Sequence, residues 1–352
     1  MNKKIVLIAL VIVIAIVMLS GCKQAEPAKE AVASPVTSAT IKDSADREIR
    51  IPENLKRVIV LNSATYNMIT AIGAADTVIG VSESIKKTGA ASVANKEVFG
   101  SYMDPNIEKI VAARPDLVVD NRTMKPAQLK QLEDAGITVA FFEFYLPSIL
   151  QDEISTLGKL FGKEEQAQNY INFITKYRNL IENRVKDVKP ENKVTVYFEG
   201  YSDYSTVAKG TGGEEMIAGA GGINISGQEK IKYPKVSAEW VLQKNPQVII
   251  KTVSVNNLTM GEGLTDKTKV KALYDSVISR TGWNELSAVK NNKVVLLAQD
   301  IGTTPDGSII GMLYMAKTMY PDRFSDIDPY EVYKQMKKEF YQVEANGIIV
   351  YP

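Results

Sequence analysis

The sequence predicts an α/β protein of two lobes, each built on a central parallel sheet, joined by one long rigid α-helix. Three observations carry this reading. Short apolar strand runs alternate with amphipathic helix patterns twice, once in each half of the chain. A single helical pattern, Glu164 to Asp187, separates the two series; at ~1.5 Å per residue it spans roughly 35 Å, the width of a domain. Finally, "NIEKIVAARPDLVV" in the first half is answered by "SAEWVLQKNPQVII" in the second, each a helix, a proline and an apolar strand. A chain of 352 residues has room for about two ordinary domains.

The elements follow in order. Asn2-Lys3-Lys4 and the apolar run Ile5 to Leu19 read as a secretion signal, too short for a membrane-spanning helix. "LSGC" at residues 19–22 resembles a lipobox, the processing site of secreted lipoproteins, which implies cleavage before Cys22 and lipid on its thiol. Residues 1–22 are therefore assigned to the signal. Residues 23–40, rich in Ala, Pro, Ser and Glu without apolar period, form a flexible tether. Residues 41–148 form the first lobe. "ADREIRIP" predicts a short strand pair, and strands are expected at "RVIVL", "TVIGVS", "DLVVD" and "ITVAFF". Helices are expected over Met68–Ile72, "NIEKIVAARP" and "PAQLKQLEDAG", the last with Pro near its start and Gly at its end. Residues 149–189 form a helical linker, broken at Gly158 and Gly162 and stopped by Pro190. Residues 190–352 form the second lobe, with strands at "KVTVYFEG", "QVIIKT" and "KVVLLA". Its helices are expected at "GGEEMIAGAGG", "SAEWVLQKNP", Ser308–Met319 and Tyr330–Phe340. Each lobe thus reads as Rossmann-like.

Composition narrows the function. Lys plus Arg is 42 and Asp plus Glu is 41, so no overall field draws the chain to nucleic acid. One cysteine rules out an internal disulfide, a Cys-rich zinc site and an iron–sulfur cluster, and the absence of histidine removes the usual metal ligand and general base. "AKGTGGEE" lacks the phosphate-loop pattern. No paired-carboxylate motif is evident, which leaves a secreted two-lobe enzyme as the weaker alternative.

The stretches "DREIRIPENLKRVIVLN", "NIEKIVAARPDLVV", "AGGINI", "PKVSAEWVLQKNPQVII" and "YMAKTMYPDRFSDIDP" resemble the substrate-binding proteins of ABC importers for ferric siderophores and cobalamin, from Ile41 to Tyr341. The resemblance implies a lipid-anchored extracytoplasmic protein that acts as a monomer and passes a small molecule to an ABC permease and its ATPase. It implies no cofactor; the bound molecule is expected to be an iron(III) complex or a corrinoid, with molybdate or tungstate as a further alternative. It also implies that Glu108 and Glu239, each seven residues before a proline, dock on the permease. A helix-capping or solvated glutamate is the other reading of each.

Ligands of open α/β sheets bind beyond the carboxyl ends of the strands. That rule selects Asn62, Thr65, Tyr66, Tyr102 and Arg122 in the first lobe, and Tyr201, Tyr204, Lys209, Lys235, Asp300 and Thr303 in the second. Tyrosine offers a flat apolar face and a polar tip. The Arg122 fork suits carboxylate, hydroxamate or oxyanion groups, or else a salt bridge to Asp104 or Asp120. Packing is the alternative for the tyrosines and solvation for the lysines.

Overall fold

The computed structural model describes residues 39–88, 91–122, 124–254, 257–302 and 304–352; Cys22, Thr303, the signal and the tether to Ser38 lie outside them. A hairpin of β1 (Thr40–Lys42) and β2 (Glu48–Arg50) leads the chain in. The sequence places both strands within Ala45–Pro52, but only the second is there. The Asp43 carboxylate accepts from the Ala45 and Arg47 backbones and from the Arg47 guanidinium, which turns Asp43–Arg47 into the connection.

The first lobe has five parallel strands in the order β5-β4-β3-β6-β7: β3 (Val58–Val60), β4 (Val78–Val81), β5 (Glu97–Val98), β6 (Leu117–Asp120) and β7 (Thr138–Phe141). β3 and β6 are buried throughout, as expected of a parallel sheet covered on both faces. The helices are α1 (Ser63–Ala71), α2 (Glu83–Lys86), α3 (Ile107–Ala113) and α4 (Pro126–Asp134). One face of the sheet buries Val58 and Val60 with Met68 and Ile69 of α1; the other buries Ile59 and Val118 with Ile110 and Leu132 of α3 and α4.

Two helices follow. α5 (Leu150–Phe161) runs through Gly158 and ends at Gly162, whose positive φ of 62° makes the turn. Gly158 is therefore no break: a Cβ there would lie 2.6 Å from Ala167 Cβ, so it lets α5 and the next helix approach. That helix, α6 (Glu164–Val185), buries Ala167, Tyr170, Phe173, Ile174, Tyr177, Ile181 and Val185. It ends two residues short of the expected Asp187, and Phe173 rather than Ile171 completes its buried stripe.

The second lobe has the sheet order β14-β12-β10-β8-β9. β8 (Thr195–Glu199), β9 (Ile223–Asn224), β10 (Val248–Val253) and β12 (Val294–Ala298) are parallel; β14 (Val350–Tyr351) is an antiparallel edge strand. β11 (Gly261–Glu262) pairs with β13 (Gly347–Ile348) outside the sheet. Around them lie α7 (Gly212–Gly219), α8 (Ala238–Lys244), α9 (Lys267–Ile278), α10 (Ser287–Lys290), α11 (Gln299–Gly302), α12 (Pro305–Met319) and α13 (Pro329–Tyr341). α12 and α13 return to pack on α1 of the first lobe. Phe340 meets Tyr170 and Phe173 edge-on at centroid distances of 4.7 and 5.4 Å. Among the described residues no helix is long and apolar enough to cross a membrane.

Strand order reverses between β3 and β6 in the first lobe and between β8 and β10 in the second. In such sheets the crevice outside the carboxyl ends at the reversal is where ligands sit. Asn62 and Asp120 flank the first reversal; Glu199 and Thr252 flank the second.

Candidate ligand cleft and docking face

In the first lobe the segment read as a loop, Asn62 to Tyr66, is the cap and first turn of α1. Asn62 is the N-cap and accepts from Thr65 N at 3.1 Å. This corrects two site residues: Thr65 and Tyr66 are buried in the lobe, where their hydroxyls have no partner among the described residues, and neither side chain is open to a solute. Asp120, the last residue of β6, is fully buried and its two carboxylate oxygens have no hydrogen-bond partner there either. Burial pushes its carboxyl up to about 7, against a lowering influence from the Asn121 backbone.

Tyr102 and Met103 stand exposed on a tight turn closed by the Gly100–Pro105 bridge and by the Ser101 hydroxyl, which accepts from Asp104 N at 3.0 Å. Gly100 (φ 91°) is required, because a Cβ would lie 2.9 Å from Asn106 N. Asp104 pairs with Lys125 at 3.1 Å, and among the described residues Arg122 makes no salt bridge to Asp104 or Asp120, the alternative to a ligand-binding role. Arg122 is exposed, and its backbone N–H donates to Glu143 Oε1 at 3.2 Å. Burial pushes the Tyr145 hydroxyl up to about 12, assisted by the hydrogen bond and charge of Glu143 and by Tyr233, and opposed by Arg122. Burial and then Glu143 raise Tyr233 also. Arg122, Glu143 and Tyr145 of one lobe therefore share an electrostatic neighbourhood with Tyr233 of the other.

The second lobe contributes the loop 200–205. Tyr201 is exposed at its tip. Tyr204 is only half-exposed; its ring lies edge-on to Trp283 at 6.2 Å and under the Arg280 guanidinium at 5.0 Å, so its aromatic surface is already used in packing. Lys209 and Lys235 are exposed, and the Lys235 backbone bridges to Ser205. Asp300 is half-buried in α11 and accepts from Glu262 N at 2.9 Å, which ties β11 down rather than leaving the carboxylate for a solute; burial raises its pKa.

The lobes touch beside this cleft. Ser148 donates its backbone N–H (2.8 Å) and hydroxyl (2.9 Å) to Glu215 on the first turn of α7. A Cβ on Gly212 would fall 2.2 Å from Tyr145 O, so only glycine permits this approach.

The phrase repeated in the sequence is repeated in space. α3 and α8 are both seven residues long. Asn106 and Ser237 cap them by accepting from Lys109 N and Trp240 N at 2.9 and 3.1 Å, and both end on left-handed residues, Arg114 and Asn245. Glu108 and Glu239 are exposed at the second helical position of each. Hydrogen bonds from its own backbone and from Ser237 hold the Glu239 carboxyl below the usual range.

The periplasmic binding protein family model matches residues 58–301. The chain belongs to the periplasmic binding protein family. Its branch is class III, the two-lobed solute-binding proteins of ABC importers. It is similar to the molybdate-binding protein MolA of Haemophilus influenzae, 24% identical over 88% of this chain and 92% of that protein. It is also similar to an ABC transporter substrate-binding lipoprotein, YvrC, of Bacillus subtilis (27%, 90% of this chain and 97% of that protein). The Vitamin B12-binding protein of Vibrio cholerae is 27% identical over 71% of this chain and 83% of that protein. Among solved structures, MolA bound to molybdate superposes with a TM-score of 0.74 at 23% identity, over 88% of this chain and 99% of that one. FepB from Veillonella parvula superposes at 0.75 and 23%, over 89% and 99%. Periplasmic binding proteins are extracytoplasmic, and this chain is the solute-binding component of an ABC importer.

Sequence reasoning missed Glu143, Tyr145 and Tyr233. The first two lie just past the carboxyl end of β7, where the strand-end rule points; Tyr233 has no local signal.

Proposed function

We propose that this receptor carries a bulky iron(III) chelate, a siderophore complex, in the cleft between its lobes and delivers it to the permease. The observation that carries the reading is a set of exposed tyrosines: Tyr102 (41% exposed), Tyr145 (37%) and Tyr201 (44%) just past strand ends, and Tyr233 (60%), which with Tyr145 feels the charge of Glu143. Flat aromatic faces with polar tips suit a large chelate with aromatic or apolar parts, and the Arg122 fork suits its oxygen donors. A corrinoid would use the same faces, as the similarity to the B12-binding protein supports. Molybdate is the second reading. It is favoured by the near full-length similarity to MolA, and Arg122 with backbone N–H groups would hold the oxyanion.

The same reading assigns Cys22 as the lipid attachment site and the tether as its reach. It assigns Glu108 and Glu239 as two anionic points that register the lobes on the permease. The receptor acts as a monomer and catalyses nothing. Thermal-shift and calorimetric titration with ferric siderophores, cyanocobalamin, molybdate and tungstate tests the proposal. Tight binding of a ferric siderophore alone supports it, tight binding of molybdate alone replaces it with the second reading, and no binding to any of them overturns both.

A further inference from the structure

A buried ionic cluster underlies the loop that presents Tyr201. Glu199 ends β8 at the strand-order reversal and is fully buried; Lys251, on neighbouring β10, is 4% exposed and lies 3.0 Å from it. Arg280 grips Glu199 with both terminal nitrogens at 2.9 Å. Tyr204 N and the Tyr197 hydroxyl also donate to Glu199, at 3.0 and 3.2 Å. The remaining donors go to the loop. Lys251 Nζ donates to Gly200 O (2.8 Å), Tyr201 O (3.4 Å) and Asp203 (3.4 Å), and Arg280 Nη2 to Asp203 at 2.7 Å. Stacking on Trp283 at 4.5 Å and Tyr204 at 5.0 Å fixes the guanidinium plane.

The charges explain why the loop stays. Lys251 and Arg280 bring two positive charges and Glu199 one negative; the fourth charge is Asp203, on the loop itself. If the loop lifted away, a buried cation would lose its counter-charge and Lys251 would lose two carbonyl acceptors, both costly in a low-dielectric interior. The loop is also tied along its return edge: Val236 N donates to Tyr204 O and Thr206 N to Pro234 O, each at 2.9 Å.

We propose that Glu199, Lys251 and Arg280 are positioning residues that hold the loop 200–205 in one conformation, so that Tyr201 meets the solute in a fixed geometry. This rests on the reading of the cleft as the solute site. The test compares full-length wild-type chain with Lys251→Met, Arg280→Ala and Arg280→Lys. Amide hydrogen exchange reads the loop, and calorimetry reads affinity for ferric enterobactin, cyanocobalamin and molybdate. Lys251→Met and Arg280→Ala are expected to speed exchange of amides 200–205 at least tenfold, to leave exchange in α3 unchanged, and to weaken the probe that binds wild type at least tenfold. Arg280→Lys keeps the charge without the fork and is expected to fall between wild type and Arg280→Ala in both readouts. It also serves if the other variants fail to fold. Unchanged exchange in the loop overturns the proposal, and so does a loosened loop with unaltered affinity. If wild type binds none of the probes, the solute reading fails on its own, and the exchange comparison still decides whether the cluster orders the loop.

Discussion

Ser148 gives both its backbone N–H and its hydroxyl to one carboxylate, that of Glu215, and the pair joins the segment leaving the first lobe to the first turn of α7 in the second. Beside it Gly212 lies against the Tyr145 carbonyl, where a Cβ would be 2.2 Å away. Gly212→Ala must push the two segments apart. Overpacking of this kind costs about 1–3 kcal/mol. The urea midpoint should fall with unchanged slope, and solute affinity should fall with it, because Tyr145 moves relative to Tyr233. A variant with wild-type stability and affinity would show that the junction does not set the spacing of the lobes.

The two strand-order reversals end in carboxylates of opposite fortune: Glu199 is gripped by Arg280 and Lys251, whereas buried Asp120 has only the Asn121 backbone to offset its burial. With its folded pKa raised to about 7, Asp120 binds more protons folded than unfolded between pH ~4 and 7, so stability falls as pH rises through that window. Below it the penalty vanishes; above it the penalty levels off at up to roughly 4 kcal/mol. Asp120→Asn should therefore be more stable than wild type at pH 8 and nearly equal to it at pH 4, measured by denaturant melts. Equal stability at both pH values would mean that Asp120 ionises freely in the folded state.

Tyr201 and Tyr145 offer aromatic faces from opposite lobes. Losing one such contact in a desolvated site costs about 1–2 kcal/mol, roughly tenfold in affinity. Tyr201→Ala and Tyr145→Ala should each weaken a ferric chelate or corrinoid by about that factor in calorimetry and leave the melting temperature almost unchanged. If molybdate is the cargo, Arg122→Ala should weaken binding more than either tyrosine change.

Glu108→Lys and Glu239→Lys reverse charges on exposed first turns. Uptake in cells should drop at least tenfold for each, while solute affinity of the purified variants stays at the wild-type value. Lost affinity would assign these residues to the solute site instead.

Cys22→Ser should leave the receptor in the soluble fraction or block removal of the signal, with solute binding unaltered. Continued membrane attachment of a processed variant would exclude lipid on this thiol as the anchor.

The sheets were legible because their strands are nearly pure apolar runs: "RVIVL" and "DLVVD" can only be buried. α3 and α8 were legible from the prolines that follow them. α1 starts at Ser63, five residues before the expected Met68, because Asn62 is polar as an N-cap must be and so resembles a loop residue; Thr65 and Tyr66 therefore belong to the helix. α9 went unread since few of its residues are buried, Val270 and Val277 among them, which gives a weak period. The antiparallel strand Val350–Tyr351 escaped because two residues carry no pattern. At the site, exposure at Tyr102 and Tyr201 followed from strand ends. The grouping of Glu143, Tyr145 and Tyr233 is created by lobe packing between distant loops and has no trace along the chain.

The order of synthesis gives the C-terminal helices a further meaning. α12 and α13 are made after the first lobe, yet they cover its α1, and Phe340 closes over Tyr170 and Phe173. Until those helices emerge, this flank of the first lobe has no apolar cover, so the lobe made first completes its packing only with the help of chain made much later.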